Sequence, residues 1–219
     1  MQIPARFNGP PGSANGGIAA GLLAGHLDPA GAAAEVTLHR PPPLDRELQV
    51  TAGRLLDGEL LVAEARLARI DPDLEVPPAL LRGTVRAAAA SYAGLVDHPF
   101  PGCYVCGTQR ADGMGLQSGR VGPGQVAAEW TPADDDPVMV WGALDCPGGW
   151  SADVPGRPVV LGRTTLRLDE LPVAGEPHHV QGWLRGTAGR KVLTGTSLRT
   201  AGGRLLAVAQ STWLTIPTG

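Results

Sequence analysis

The same order of elements is written twice along this chain. In the first half, an apolar stretch with helical spacing over about 14–27 leads into strand-like runs at 35–40 and 48–54. The turn Asp57-Gly58 and a long run over 59–70 follow. In the second half, a helical stretch near 138–153 leads into runs at 159–168, 179–185 and 191–199, then the turn Gly202-Gly203 and the run 204–216. The closing runs match in character, Gly58-Glu-Leu-Leu-Val-Ala-Glu against Gly203-Arg-Leu-Leu-Ala-Val-Ala. β-branched content and two-residue turns mark antiparallel hairpins. A helix followed by a meander must bury its apolar stripe in the sheet, so the class is α+β, built from two related units.

The first unit spans 1–95 and ends on an Ala- and Arg-rich helical stretch over 77–95. A connecting loop, 96–115, carries Cys103-Tyr-Val-Cys106. The second unit, 116–219, gains an opening hairpin over 116–130. A net charge of −3 argues against a nucleic-acid or anionic-membrane surface. No apolar run approaches the roughly 20 residues that span a bilayer, and the first residues lack the order of a signal peptide. Three cysteines form no obvious disulfide framework, which suits a reducing compartment; a cytoplasmic protein is expected.

One carboxylate stands apart. Asp145 lies in the middle of Val138-Met-Val-Trp-Gly-Ala-Leu-Asp-Cys-Pro-Gly-Gly-Trp-Ser-Ala152, an apolar, helix-like run. An acid there needs a cleft, a hydrogen-bond partner or a chemical role, because unpaired burial is costly or forces its proton back on. Near the other end, Asn15-Gly16-Gly17 opens a helix that holds no acid. The two helices share one register, 15–24 on 136–145, and Ala24 falls where the first would carry its acid. Pro147 predicts a kink just after Asp145.

This order resembles the hotdog fold in tandem form, a double hotdog, which implies two antiparallel sheets each wrapping a central helix. The second helix is similar to the active-site helix of phenylacetic-acid-type and related acyl-CoA thioesterases. Their pattern runs His-Gly-Gly, six apolar or small positions, Asp, and a Gly-Trp-Ala-Ala-like end. Asp145 falls on the acid and Gly149-Trp-Ser-Ala152 on the end, while Asp136, Pro137 and Val138 do not match the opening. Asn15-Gly16-Gly17 matches that opening with Asn for His.

The resemblance implies a thioester hydrolase whose site is shared by the two halves. The Gly16 or Gly17 amide would stabilise an oxyanion, and Asp145 would act as general base or nucleophile. Asn15 would hold the carbonyl or cap the helix. Trp141 and Trp150 are candidates to line an acyl pocket, with the core as their alternative place. Other double-hotdog thioesterases pair the acid with a Thr and a Gln, which puts forward Thr164, Thr165 and Gln210. Gln210 stands about one residue out of register. The implied substrate is an acyl-CoA or carrier-linked thioester, with no cofactor, and a homodimer follows by analogy. The alternatives are a non-catalytic acyl-thioester binding protein and a hotdog-type hydratase or dehydratase. The latter needs a His beside the acid, and the helices carry only His26.

Cys103-x-x-Cys106 has zinc-knuckle spacing without a second pair, so a metal would have to recruit His98 and Cys146. The expectation is a structured loop and no metal. His178-His179 is expected to be exposed, and Asp134-Asp-Asp136 to be a solvated loop or helix start.

Overall fold

The computed structural model describes residues 1–27, 32–152 and 158–216. The first half holds α1 (Gly16–Ala24), β1 (Ala33–Leu38), β2 (Gln49–Thr51), β3 (Arg54–Asp57) and β4 (Leu60–Ala68). A short helix, α2 (Arg82–Ala88), leads to the hairpin β5 (Gly119–Gly122) and β6 (Gln125–Trp130). Then come α3 (Pro137–Ala143), α4 (Cys146–Trp150), β7 (Val159–Leu168), β8 (His178–Ala188), β9 (Lys191–Thr200) and β10 (Leu205–Thr215).

The described strands form one sheet, ordered β2-β3-β4-β1-β7-β10-β9-β8-β6-β5. The expectation of two sheets is therefore corrected. β1 pairs antiparallel with β7, Val36 opposite Thr164, and this seam closes two edges that separate sheets would leave unpaired. Outward from the seam, β1-β4-β3-β2 on one side mirrors β7-β10-β9-β8 on the other, with β6-β5 added at the end. The repeat in the sequence becomes a near two-fold arrangement about the β1–β7 seam.

α1 and α3 begin alike. Asn15 caps α1 by accepting the Ile18 amide at 2.9 Å, and Asp136 caps α3 by accepting the Val138 amide at 2.8 Å. The two helices pack against each other, and glycines set how closely. A Cβ on Gly21 would stand 2.9 Å from the Trp141 Cβ, and one on Gly142 would stand 2.7 Å from the Ile18 Cδ1. Gly21 and Gly142 occupy matching positions of the two helices, so each half contributes one glycine to the same crossing.

The single helix expected near 138–153 is broken; residue 153 lies outside the described residues. Pro147 has no N–H for the Ala143 carbonyl, and its ring would collide with that turn. The chain leaves the helix at Leu144 and Asp145 and restarts as α4. Thr196 on β9 donates its hydroxyl to the Leu144 carbonyl at 2.8 Å, satisfying a group that the break sets free. The run 48–54 is also divided: it is β2 and β3 around Ala52-Gly53, whose φ values of 47° and 74° make a tight hairpin turn.

The opposite face of the second half is covered by the segment between β4 and α2. Leu74 packs with Trp183 and Val208, and Gln181 Nε2 donates to the Pro78 carbonyl at 3.2 Å. Arg82 and Arg86 flank Glu129. This cover buries His179, which lies across the strands from Glu129 and Arg199. His178 is buried as well, with Nδ1 2.9 Å from the Glu176 carbonyl oxygen. Both histidines were expected at the surface; the crossing segment covers His179, while His178, on the other face of the strand, lies opposite Trp130. No described helix is long and apolar enough to cross a membrane.

Gly182 on β8 lets α4 seat on the sheet, since a Cβ there would stand 2.3 Å from the Pro147 carbonyl oxygen. Gly182→Ala is expected to destabilise the fold by about 1–3 kcal/mol, as overpacking does. Urea unfolding reads this as a lower midpoint; an unchanged midpoint would mean that α4 does not depend on that contact.

Candidate active site

Asn15 and Asp145, 130 positions apart, are joined by a hydrogen bond: Asn15 Nδ2 donates to Asp145 Oδ2 at 2.8 Å. The cap fixes this orientation. The Asn15 Oδ1 is committed to the Ile18 amide, which leaves the NH₂ to face the acid. The helix break after Leu144 places Asp145 opposite the start of α1. Gly17 makes the approach possible, because a Cβ there would stand 2.5 Å from the Asp145 Cβ and 2.5 Å from the Trp141 carbonyl oxygen.

Asp145 is buried, and its Oδ1 has no protein partner among the described residues. Burial pushes its carboxyl up to about 7. The Gly17 amide and the Asn15 side chain pull the other way, and the neighbouring Cys103 adds to the rise. The acid is thus balanced between its charged and neutral forms near neutral pH.

A cleft of about 230 Å³ opens beside this pair. It has room for a small organic ligand. Asn15, Gly16 and Asp145 line one side, and Leu161, Trp150 and Trp213 line others. The Cys103, Cys106 and Cys146 residues line it too, next to the acid.

The expected site residues divide between the cleft and elsewhere. Asn15, Gly16, Asp145 and Trp150 meet at it. Trp150 is held by edge contacts with Tyr92 and His98, at ring separations of 4.8 and 5.1 Å. Gly17 lies behind Asp145 at the helix crossing rather than on the cleft wall. Trp141 faces Gly21 on α1 and stands outside the cleft. Thr165 and Gln210 sit opposite each other on β7 and β10, on the sheet face away from the helices. There Thr165 Oγ1 donates to Glu35 Oε2 at 3.2 Å, and Gln210 Oε1 accepts the Asp71 amide at 3.1 Å. One residue along, Thr164 and Ser211 point inward and share a hydrogen bond of 2.9 Å. Strand alternation separates the two pairs, and neither pair lines the cleft.

Trp213 and Leu161 were not among the expected residues. The β7–β10 register shifts beside them, with Gly162 as the extra residue on β7, and Leu161 lies opposite Trp213. The bulge turns Leu161 inward; the signal available beforehand was a glycine inside a strand. His98 also lines the cleft, but both ring nitrogens are engaged. Nδ1 accepts the Phe100 amide at 2.9 Å and Nε2 lies 3.0 Å from the Cys106 carbonyl oxygen. Burial lowers its basicity, which keeps the ring neutral.

No protein-family model matches this chain, and no curated protein matches its sequence. Solved structures match its shape. The tesB protein of Mycobacterium avium subspecies paratuberculosis aligns over 99% of this chain and 91% of its own, at 13% identity and a TM-score of 0.64. A conserved protein of unknown function with a hot dog fold from Alicyclobacillus acidocaldarius aligns over 100% and 92%, at 12% identity and 0.60. The chain has a hotdog fold. An acyl-CoA thioesterase II of Mycobacterium marinum aligns over 94% and 91%, at 17% identity and a TM-score of 0.58. Within this hotdog chain, the position that mirrors Asp145 is held by Ala24, which is buried among apolar neighbours.

Asn15→Ala removes the cap of α1 and the partner of Asp145 Oδ2 together. The expected loss is about 1 kcal/mol for the cap and about 1–3 kcal/mol for the stranded acceptor. Denaturant unfolding measures the sum; a loss no larger than that of an ordinary cap would mean that the bond to Asp145 contributes nothing.

Proposed function

We propose that the protein is a thioester hydrolase, acting on acyl-CoA or acyl-carrier thioesters in the Asn15–Asp145 cleft. The observation that carries this reading is a buried carboxyl oxygen, Asp145 Oδ1, left without a partner beside an apolar cleft at a helix start. The naming of one structural counterpart, the Mycobacterium marinum protein, as an acyl-CoA thioesterase II supports it.

In this reading the acyl group lies against Trp150, Leu161 and Trp213, with its carbonyl oxygen toward Gly16. The first amides of a helix lack intrahelical acceptors, and the dipole places partial positive charge there, so an oxyanion forming at Gly16 is stabilised. Asp145 takes a proton from a water that attacks the carbonyl carbon. Alternatively it attacks first, giving a mixed anhydride that water then opens. The C–S bond breaks, the sulfur leaves as the thiol with its proton, and the acid product keeps the water oxygen. A carboxyl balanced near neutrality suits a general base at that pH.

One observation favours a second reading, a non-catalytic acyl-thioester binder: Asn15 already holds the acid, and burial opposes its charge. A hydratase is less well supported. His26 is exposed at the far end of α1, and the two nitrogens of His98 are engaged by the backbone.

Release of free thiol from a panel of acyl-CoA esters separates these readings. The wild type is expected to turn over at least one ester. Asp145→Asn is expected to lose roughly 10²–10⁴ in rate while still binding it, the usual share of acid–base catalysis. Binding without thiol release by the wild type would establish the binder instead.

A further inference from the structure

All three cysteines of the chain converge on one point. Cys103 and Cys106 come from the loop before β5 and Cys146 opens α4, yet their sulfurs lie within 4.8 Å of one another, all buried. The Cys103 and Cys146 sulfurs are 3.9 Å apart. Around a tetrahedral zinc with Zn–S bonds of about 2.3 Å, two sulfurs stand about 3.8 Å apart. A disulfide requires about 2.05 Å. The three thiols are free, at a spacing that fits a shared ion better than a bond between any two.

A side-chain amide faces the thiols. Asn15 Nδ2 lies 3.8 Å from the Cys103 sulfur and 3.7 Å from that of Cys146, so one amide faces both thiols and Asp145. Cys103 and Cys106 belong to one tight turn. Gly107 closes this turn: its amide donates to the Cys103 carbonyl at 2.9 Å, and a Cβ there would stand 2.4 Å from that oxygen. An N–H group facing sulfur helps to orient it as a ligand.

We propose that Cys103, Cys106 and Cys146 bind one zinc ion as thiolates, leaving its fourth coordination position open to the cleft beside Asp145. Thiolates select soft or borderline ions and exclude magnesium and calcium. Among the described residues the cluster comprises these three ligands alone, and the nitrogens of His98 are already engaged. The three cysteines and Asp145 line the same cleft, so the remaining position faces ligands that enter it. Three protein ligands and an open place are the pattern of a zinc that takes an outside ligand, here a water or the sulfur of a thiol. Binding displaces the thiol protons, which pass to solvent. The site rests on sulfur geometry and stands or falls separately from thioester hydrolysis.

The test uses the full chain, expressed with added zinc, purified under reducing conditions and dialysed against zinc-free buffer. Elemental analysis is expected to find about one zinc per chain, and X-ray absorption three sulfurs at about 2.3 Å with one lighter ligand. Cobalt in its place is expected to show thiolate-to-metal charge transfer, and each Cys→Ser variant is expected to lose the retained ion. A misfolded variant would lose metal trivially, so the wild-type spectrum carries the test. Three results would overturn the proposal. They are folded wild type that retains no more zinc than the triple Cys→Ser variant, zinc held by fewer than three sulfurs, or a mass two hydrogens low from a disulfide.

Discussion

The close crossing of α1 and α3 is the constraint on which the rest of the molecule depends. Gly17, Gly21 and Gly142 remove the side chains that would hold the helices apart, each at a place where a Cβ would meet a neighbour at 2.9 Å or less. That approach brings the start of α1 within a hydrogen bond of the break after α3. Asn15 then satisfies two needs with one amide group, capping its own helix with the oxygen and meeting Asp145 with the nitrogen. The cleft, its acid and the three thiols all lie around this one contact.

The two halves differ where the near two-fold arrangement would otherwise give two equal sites. The first half keeps a glycine-rich helix start and carries Ala24 where an acid would stand. The second keeps Asp145, and its helix opens at Asp136-Pro137. The contact between a helix start and an acid is therefore made by Asn15 and Asp145, one residue from each half. Pro147 has a definite part in it: by ending the helix it presents Asp145 at a joint, with Thr196 satisfying the Leu144 carbonyl that the break releases.

Much of the architecture was legible because it is written in periodicity and turns. The repeat, the hairpins at Asp57-Gly58 and Gly202-Gly203, and the register 15–24 on 136–145 all have local signals. The union of the halves into one sheet does not, since the β1–β7 pairing depends on which edges meet in space. The cover over His179 is equally non-local, because it comes from a segment about a hundred positions earlier. At the site, Asn15 and Asp145 were visible as a polar opening and a lone acid. Thr165 and Gln210 lie on the sheet face away from the helices, and a shift of one residue, to Thr164 and Ser211, does not reach the cleft either, while Leu161 reaches it through a bulge that only Gly162 announced. The convergence of Cys146 with the Cys103-x-x-Cys106 turn lay beyond spacing rules, because it depends on where the helix breaks.

The central claim is that Asn15 and Asp145 act as one unit joining the two halves. A double-mutant cycle over Asn15→Ala and Asp145→Ala, followed by urea unfolding at pH 8, tests it most directly. Residues in contact within one hydrogen-bonded group are expected to couple, so the double variant should differ from the sum of the singles by about 0.5–3 kcal/mol. Losses that add within about 0.3–0.5 kcal/mol would show two independent residues and contradict the account.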